Sequence, residues 1–190
     1  SELLTATTTD PLTYSEQGSY LINWTFDDGN GNSITVPQTV TIDDIIDPVI
    51  PTLAALTDEC TVTALAPTTT DNCSGLLIAT TTDPLTYSEQ GSYVINWTFD
   101  DGNGNSITVP QTVSINDTSA PVADAATLPD LSEVCEITSL TEPMATDNCS
   151  GAVSVTHDAV LPITVTTVVT WTYVDGNGNT TTQTQNVLIE

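Results

Sequence analysis

Apolar and polar side chains alternate along several short stretches of this chain. In residues 93–99, which read YVINWTF, large apolar side chains occupy every second position, which is the period of a β-strand with one buried face. The DDGNGN sequence at 100–105 contains the Asn-Gly steps that tight hairpins favour, and residues 107–115 form a returning strand. Short strands with frequent turn signals and no amphipathic helix predict an all-β sandwich fold.

The chain also repeats itself. Residues 6–44 recur at 79–117 with a shift of 73, and a diverged third copy follows, in which WTYVDGNGN from Trp171 matches WTFDDGNGN from Trp24 and Trp97. The first two copies differ at three positions: Leu21/Val94, Thr41/Ser114 and Asp43/Asn116. A second block, ECTVTALAPTTTDNCSG from Glu59, matches VCEITSLTEPMATDNCSG from Val134. We therefore expect a truncated repeat at 1–46, a complete repeat at 47–119 and a complete, diverged repeat at 120–190, cut from a longer array.

The charge balance excludes several classes of partner. The chain has 25 acidic residues, no Lys or Arg and one His, which gives a formal net charge of -25. Nucleic acids and anionic membranes attract cationic side chains, so we expect neither nucleic-acid binding nor direct membrane binding. General acid–base catalysis needs a tuned base in a single pocket, and here the acids come in copies, so we predict that the chain is not an enzyme. No apolar run reaches the length of a transmembrane helix.

Four cysteines occur as one pair in each complete repeat, Cys60 with Cys73 and Cys135 with Cys149. Bridges within these pairs would each close a loop of about 15 residues and stabilise the fold by roughly 3 kcal/mol. Small sandwich repeats need such a covalent link, and it implies an oxidising, extracellular compartment. A zinc site is the rival interpretation, but the spacing lacks a CxxC pair and a partner His pair.

Acidic residues concentrate where the linker before each repeat should meet that repeat's last hairpin turn. Carboxylate and amide oxygens in such a place are the ligands that Ca²⁺ prefers, so we expect calcium to stiffen each joint. The candidates at the first joint are Asp43, Asp44, Asp47, Asp100, Asp101, Asn103 and Asn105. Those at the second joint are Asn116, Asp117, Asp175, Asn177 and Asn179. The alternative is that DDGNGN is only a turn and that the linker acids are solvated.

A second acidic group surrounds the cysteines and is a further candidate metal site. Its members are Asp58, Glu59, Asp71 and Asn72 in one repeat and Glu133, Asp147 and Asn148 in the next. Asp71 can serve this group or the linker site, but not both, and the sequence does not decide between them.

The tryptophans Trp24, Trp97 and Trp171 occupy the same strand position in each copy. A platform for stacking carbohydrate is one interpretation. The alternation with the neighbouring Asn and Thr instead places each indole on the buried face, so we predict core packing.

The ordered motifs TDNCSG, GSYVINWTFDDGNGN and QTVSIND resemble the hyalin repeat, or HYR-like, module, and the repeats of giant gliding-motility adhesins of Bacteroidetes. The resemblance spans essentially the whole chain and implies an immunoglobulin or fibronectin-III-like fold at the cell surface. Hyalin-type modules usually have a cysteine in the last strand, whereas both cysteines here lie in the N-terminal half of the repeat.

Near-identical repeats serve reach or avidity. We therefore predict the stalk or fibre of a large secreted adhesin, used in attachment or gliding, whose first partners are neighbouring repeats. Two alternatives stay open, in which the repeats bind surface glycans or proteins themselves or assemble into an extracellular filament.

Overall fold

The computed structural model describes residues 3–149 and 151–190. Within these ranges the chain is all-β, with fifteen strands and no helix, so none of the described segments could cross a membrane as a helix. The predicted all-β fold is confirmed.

The first repeat contributes one long hairpin. Strands β1 (Gly18–Asp27) and β2 (Ser33–Ile42) pair antiparallel over their full length, from Gly18 opposite Ile42 to Asp27 opposite Ser33. An isolated bridge joins Thr7 to Thr25. The alternating pattern and the Asn-Gly turn therefore give the strands that the sequence predicts.

The middle repeat has seven strands. They are β3 (Leu56–Asp58), β4 (Val62–Thr63), β5 (Thr68–Asp71), β6 (Gly75–Ile78), β7 (Thr86–Tyr87), β8 (Gly91–Asp100) and β9 (Ser106–Ile115). A three-stranded sheet has the order β3-β9-β8, and β4 pairs with β7 while β5 pairs with β6. The short strand β3 lies parallel to β9, with Leu56 opposite Val113 and Asp58 opposite Ile115.

The third repeat shows the sandwich most completely. Its strands are β10 (Val122–Ala123), β11 (Leu131–Glu133), β12 (Ala145–Thr146), β13 (Ser154–His157), β14 (Thr167–Val174) and β15 (Thr180–Ile189). One sheet has the order β11-β15-β14-β13, and β10 pairs with β12. Trp171 and Tyr173 of β14 are fully buried and share one core with Ile137 and Ile163, which form a bridge outside that sheet. Two layers thus enclose a common apolar core.

The chain folds into two compact units. The first comprises residues up to 53 together with 66–83 and 96–110, and the second comprises 54–65, 84–95 and the residues from 111 onward. The division passes through β8 and β9. The boundaries predicted at 46/47 and 119/120 from the repeats stay a prediction.

The three tryptophans differ in burial. Trp97 and Trp171 are 1% and 0% exposed, which confirms their predicted core packing. Trp24 is only half-buried, although its indole N–H donates to Gln38 Oε1 at 2.7 Å. Among the described residues, β1 and β2 form a two-stranded sheet, whereas β8 and β9 form a three-stranded sheet with β3.

Candidate functional site: the joints between repeats

The first joint forms around Asp44, which follows β2 and is 5% exposed. Gln17 Oε1 accepts a hydrogen bond from the Asp44 backbone N–H at 2.8 Å. From the turn between β8 and β9, Asn103 Nδ2 donates to Asp44 Oδ2 at 3.2 Å and Asn105 Nδ2 donates to the Asp44 carbonyl at 3.1 Å. The linker is therefore held by the hairpin turn of the repeat that it enters.

Asp101 shapes that turn from within. Its Oδ1 accepts the backbone N–H groups of Asn103 at 2.7 Å and Asn105 at 3.1 Å, and its Oδ2 accepts Asn105 Nδ2 at 2.7 Å. Gly102 and Gly104 have φ of 79° and 110°, a backbone conformation that favours glycine. Burial acts to raise the pKa of Asp101, but the hydrogen bonds from Asn105 and Asn103 outweigh it and hold the pKa below its ordinary value.

Asp71, at the end of β5, supplies a third carboxylate. Its Oδ2 accepts the backbone N–H groups of Cys73 at 2.8 Å and Ser74 at 3.0 Å, whereas its Oδ1 is buried without a hydrogen-bond partner. Ser74 Oγ donates to the Asp101 carbonyl at 2.6 Å, which ties this loop to the hairpin turn. Asp71 therefore belongs to the linker site, the choice that the sequence left open.

Asp44, Asp71 and Asp101 together can surround one cation. They are 5%, 8% and 7% exposed, and one carboxylate oxygen from each lies within 4.8 Å of the other two. Oxygens bound to one Ca²⁺ at about 2.3–2.6 Å from the ion can be no more than about 5 Å apart, so this spacing fits calcium. The chain has no Lys or Arg to neutralise three buried carboxylates, and Asp71 Oδ1 is an acceptor without a donor. The residues present therefore fit a hard divalent cation.

The second joint repeats this arrangement about one repeat later, with Asp117 in the place of Asp44. Asp117 is 6% exposed, and its N–H donates to Gln90 Oε1 at 2.8 Å. Asn177 Nδ2 donates to Asp117 Oδ2 at 2.6 Å and Asn179 Nδ2 donates to the Asp117 carbonyl at 3.3 Å. The corresponding carboxylates, which again lie within 4.8 Å of one another, are Asp117, Asp147 and Asp175. For Asp175, burial acts to raise the pKa, and hydrogen bonds from Asn179 and Asn177 lower it below the ordinary value.

Several predicted ligands lie elsewhere. Asp43, Asp47 and Asp100 are exposed and are not members of either carboxylate group, and Asp100 Oδ1 accepts the Gly102 N–H at 2.7 Å. The side-chain amides of the hairpin asparagines donate hydrogen bonds to these carboxylates. The asparagines therefore hold the carboxylates in place. These donors are Asn103, Asn105, Asn177 and Asn179.

The predicted disulfide pairing is wrong. Cys60 is bonded to Cys149, 89 residues away, while Cys73 and Cys135 are free and exposed. The prediction assumed that the TDNC loop folds back on its own repeat. Instead the loop of the third repeat lies against the end of β3 in the middle repeat, so the bond spans the second joint. A disulfide as such was correctly expected, and Asp71 lies in a group with Asp44 and Asp101.

Glu59 braces the same joint beside the disulfide. Its carboxylate accepts hydrogen bonds from Thr118 Oγ1 at 2.7 Å, Ser119 Oγ at 2.8 Å and Asn148 Nδ2 at 2.9 Å. These bonds, from Thr118 first and then Ser119, lower the pKa of Glu59. Gln90 adds a link that sequence reasoning missed, because its Nε2 donates to the Glu59 carbonyl at 3.0 Å. The one feature of the sequence that pointed to this hydrogen bond is that Gln17 and Gln90 occupy equivalent positions in the repeat.

No protein-family model matches this chain, and neither does any curated protein. The resemblance to hyalin repeats and gliding adhesins therefore stays a prediction.

Among solved structures the chain is similar to cadherin extracellular segments. Protocadherin Gamma B2 domains 1–5 are 14% identical, with a TM-score of 0.35 over 90% of this chain and 46% of that chain. Drosophila N-cadherin EC1–4 is also 14% identical, with a TM-score of 0.35 over 92% and 58%. Bacteroides ovatus SGBP-B in complex with a mixed-linkage heptasaccharide is 11% identical, with a TM-score of 0.17 over 91% and 53%. The chain spans about half the length of these three proteins, and likeness at this level carries no argument about function.

Proposed function

We propose that this chain is part of the stalk of a secreted cell-surface adhesin, in which successive sandwich repeats are held by calcium-binding joints and disulfides. The observation that carries the proposal is the duplicated joint: a buried linker aspartate with two further carboxylates, at both Asp44 and Asp117. Its surface role is attachment or gliding, and it acts without catalysis.

Calcium would act at each joint by joining elements that are distant in sequence. At the first joint, Asp44 comes from the linker, Asp71 from the end of β5 and Asp101 from the turn after β8. A cation held by all three removes their mutual repulsion and opposes bending between the linker and the repeat. Stiff joints are what a long spacer needs, since reach is lost when each linker is flexible.

The charge and the disulfide support the surface location. A chain with net charge -25 is repelled by nucleic acids and anionic lipids, whereas calcium is plentiful outside cells. The bond between Cys60 and Cys149 fits an oxidising compartment.

The test is a calcium titration of the full chain by calorimetry, combined with thermal melting and small-angle scattering. We expect two bound ions, a higher melting midpoint with calcium, and a more extended scattering profile than in EDTA. Asp71→Asn should abolish or weaken one binding event at least about tenfold and leave the site at Asp117 as an internal reference.

Asp100→Asn is the matched control, because Asp100 is an exposed carboxylate next to Asp101. It should leave both binding events unchanged. An unchanged melting midpoint and scattering profile in excess EDTA would refute the calcium joint.

A further inference from the structure

Direct contacts connect the disulfide of the second joint to the carboxylates proposed to bind calcium there. The Cys149 backbone N–H donates to Asp147 Oδ1 at 2.9 Å. Cys149 Sγ also lies within 4.8 Å of a carboxylate oxygen of Asp117 and of one of Glu59. The disulfide is therefore adjacent to two of the three carboxylates of this joint, those of Asp117 and Asp147.

The other cysteine of the bond is tied to the linker through the residue before it. Glu59, which precedes Cys60, accepts hydrogen bonds from the side chains of Thr118 and Ser119, the two residues that follow the linker aspartate. Gln90 adds a second link, since its Oε1 accepts from the N–H of that aspartate and its Nε2 donates to the Glu59 carbonyl. Movement of Cys60 away from the linker would break these hydrogen bonds.

The disulfide closes these contacts into a ring. From Asp117 the ring passes through Glu59 and Cys60, crosses the S–S bond to Cys149 and returns through Asp147. The covalent link limits how far the members of the ring can separate, so the two aspartates are held together before any cation binds. Ligands that are already held in place lose less freedom on binding, which raises affinity.

The carboxylates of the second joint repel one another when no cation lies between them. Asp117, Asp147 and Asp175 each place one oxygen within 4.8 Å of the other two, and the chain has no Lys or Arg. This repulsion acts to move the loop that contains Asp147 away from the linker. The disulfide opposes that movement, whereas a bound cation removes its cause. Both therefore favour the same arrangement of the joint.

We propose that the disulfide between Cys60 and Cys149 controls the calcium affinity of the second joint: the oxidised joint binds calcium tightly, and reduction of the bond weakens binding there. This inference rests on the calcium joints proposed above. Because the two equilibria are linked, calcium makes the disulfide harder to reduce by the same factor. The second joint is therefore stiff where calcium and an oxidising environment occur together.

The reductant is a small dithiol, for which dithiothreitol is the probe. One of its thiolates attacks a sulfur of the protein disulfide, which forms a mixed disulfide and releases the other cysteine as a thiolate. Its second thiolate then displaces the remaining cysteine and closes a cyclic disulfide. The two protons lost by the dithiol are taken up by Cys60 and Cys149. Two electrons thus pass from the dithiol to the protein, and the S–S bond becomes two thiols.

The first joint provides an internal reference for this reaction. Its three carboxylates belong to the first compact unit, whereas Cys60 and Cys149 both belong to the second. Its cysteine, Cys73, is already a free thiol, so the dithiol has no bond to reduce there. Reduction should therefore leave calcium binding at the first joint unchanged.

The experiment measures the calcium Kd of each joint by calorimetry on the full chain, before and after reduction. Asp71→Asn removes or weakens the first site so that the second is observed, and Asp147→Asn does the reverse. In the Asp71→Asn chain, reduction should raise the Kd at least about fivefold. In the Asp147→Asn chain the Kd should change less than about twofold, because the disulfide does not belong to that joint.

Two cysteine variants, each made in the Asp71→Asn chain, separate loss of the bond from other effects of the dithiol. Cys60→Ser should reproduce the Kd of the reduced chain without any reductant. Cys135→Ser is the matched control, because Cys135 is exposed and unbonded, and it should keep the Kd of the oxidised chain.

A second measurement reads the disulfide itself in the unmodified chain. Thiol alkylation and mass spectrometry give the reduced fraction of Cys60 and Cys149 at a series of ratios of reduced to oxidised dithiothreitol. Saturating calcium should raise the ratio needed for half reduction at least about fivefold relative to EDTA, which is the reciprocal of the first effect.

Three results would overturn the proposal. A smaller change in the Kd of the second joint on reduction would do so while leaving the calcium joints themselves in place. A change of comparable size at both joints, or a loss of the β-sheet circular dichroism on reduction, would show that the bond supports the whole fold and not this site. An absence of calcium binding to the oxidised chain would refute the calcium joints and this inference together.

Discussion

The hairpins β1–β2 and β8–β9 differ by only two side chains between their first and last strand residues, yet their aromatic residues differ in burial. Trp97 and Phe99 are 1% and 0% exposed, whereas Trp24 and Phe26 are half-buried. Local sequence therefore specifies the hairpin, because the strand lengths are the same in both copies. Burial accompanies the larger sheet, because β3 lies on β9 while β1 and β2 form a two-stranded sheet among the described residues.

The joints show the same contrast. Both hold a linker aspartate through a glutamine and two asparagines, but only the second has a closed disulfide with Glu59 beside it. We call the first joint, in which Cys73 is unbonded, the open joint, and the second the closed joint. Comparing the two isolates the contribution of the disulfide to stability.

The largest expected effect is the loss of that bond. Cys60→Ser should lower the free energy of unfolding of the second joint by about 4 kcal/mol, because the disulfide closes a loop of 89 residues. Cys73→Ser should change it by less than about 0.5 kcal/mol, since Cys73 is exposed and unbonded. Urea unfolding of both variants measures the difference. Equal losses would show that the disulfide does not stabilise the joint.

A somewhat smaller difference in stability is expected between tryptophan substitutions in the two hairpins. Trp97→Ala should lower the free energy of unfolding by about 3–4 kcal/mol, because it leaves a cavity in a closed core. Trp24→Ala should cost only about 1 kcal/mol, since the site is half-open. Thermal and urea denaturation measure both changes. A similar cost at the two positions would mean that Trp24 is packed as closely in solution as Trp97.

The smallest expected effect concerns Glu59. Its folded-state pKa is lowered, so its contribution to stability is present above the unfolded value of about 4.3 and is lost as the pH falls through the folded pKa. In EDTA, Glu59→Gln should therefore flatten the fall of the melting midpoint between about pH 5 and 3. Glu16→Gln, a change at an exposed carboxylate, is the control and should follow the unmodified protein. Identical pH profiles for Glu59→Gln and the unmodified chain would show that the Glu59 carboxylate does not stabilise the joint.

The fold was predictable where the signals are local. Period-two alternation and the DDGNGN turn identify β8 and β9, and the same turn brings Asn103 and Asn105 to Asp101 within a few residues. The meeting of linker and hairpin turn also followed from sandwich topology, which places Asp44 beside that turn.

The disulfide pairing was not predictable in the same way. Cys60 and Cys73 are near in sequence, and a short loop looked favourable, but which cysteine meets which depends on how one repeat packs on the next. The position of Asp71 has the same origin, because the loop after β5 is bonded to the turn that contains Asp101. Packing between repeats leaves little trace in a single repeat's sequence.

The bond between Cys60 and Cys149 runs alongside the connecting peptide that contains Asp117. Two covalent routes thus lead from one repeat to the next. A protease that cuts the peptide once between these cysteines would leave both fragments attached, and tension would pass through sulfur until a reductant broke the second route. Severing the chain at this point therefore requires two chemically different events.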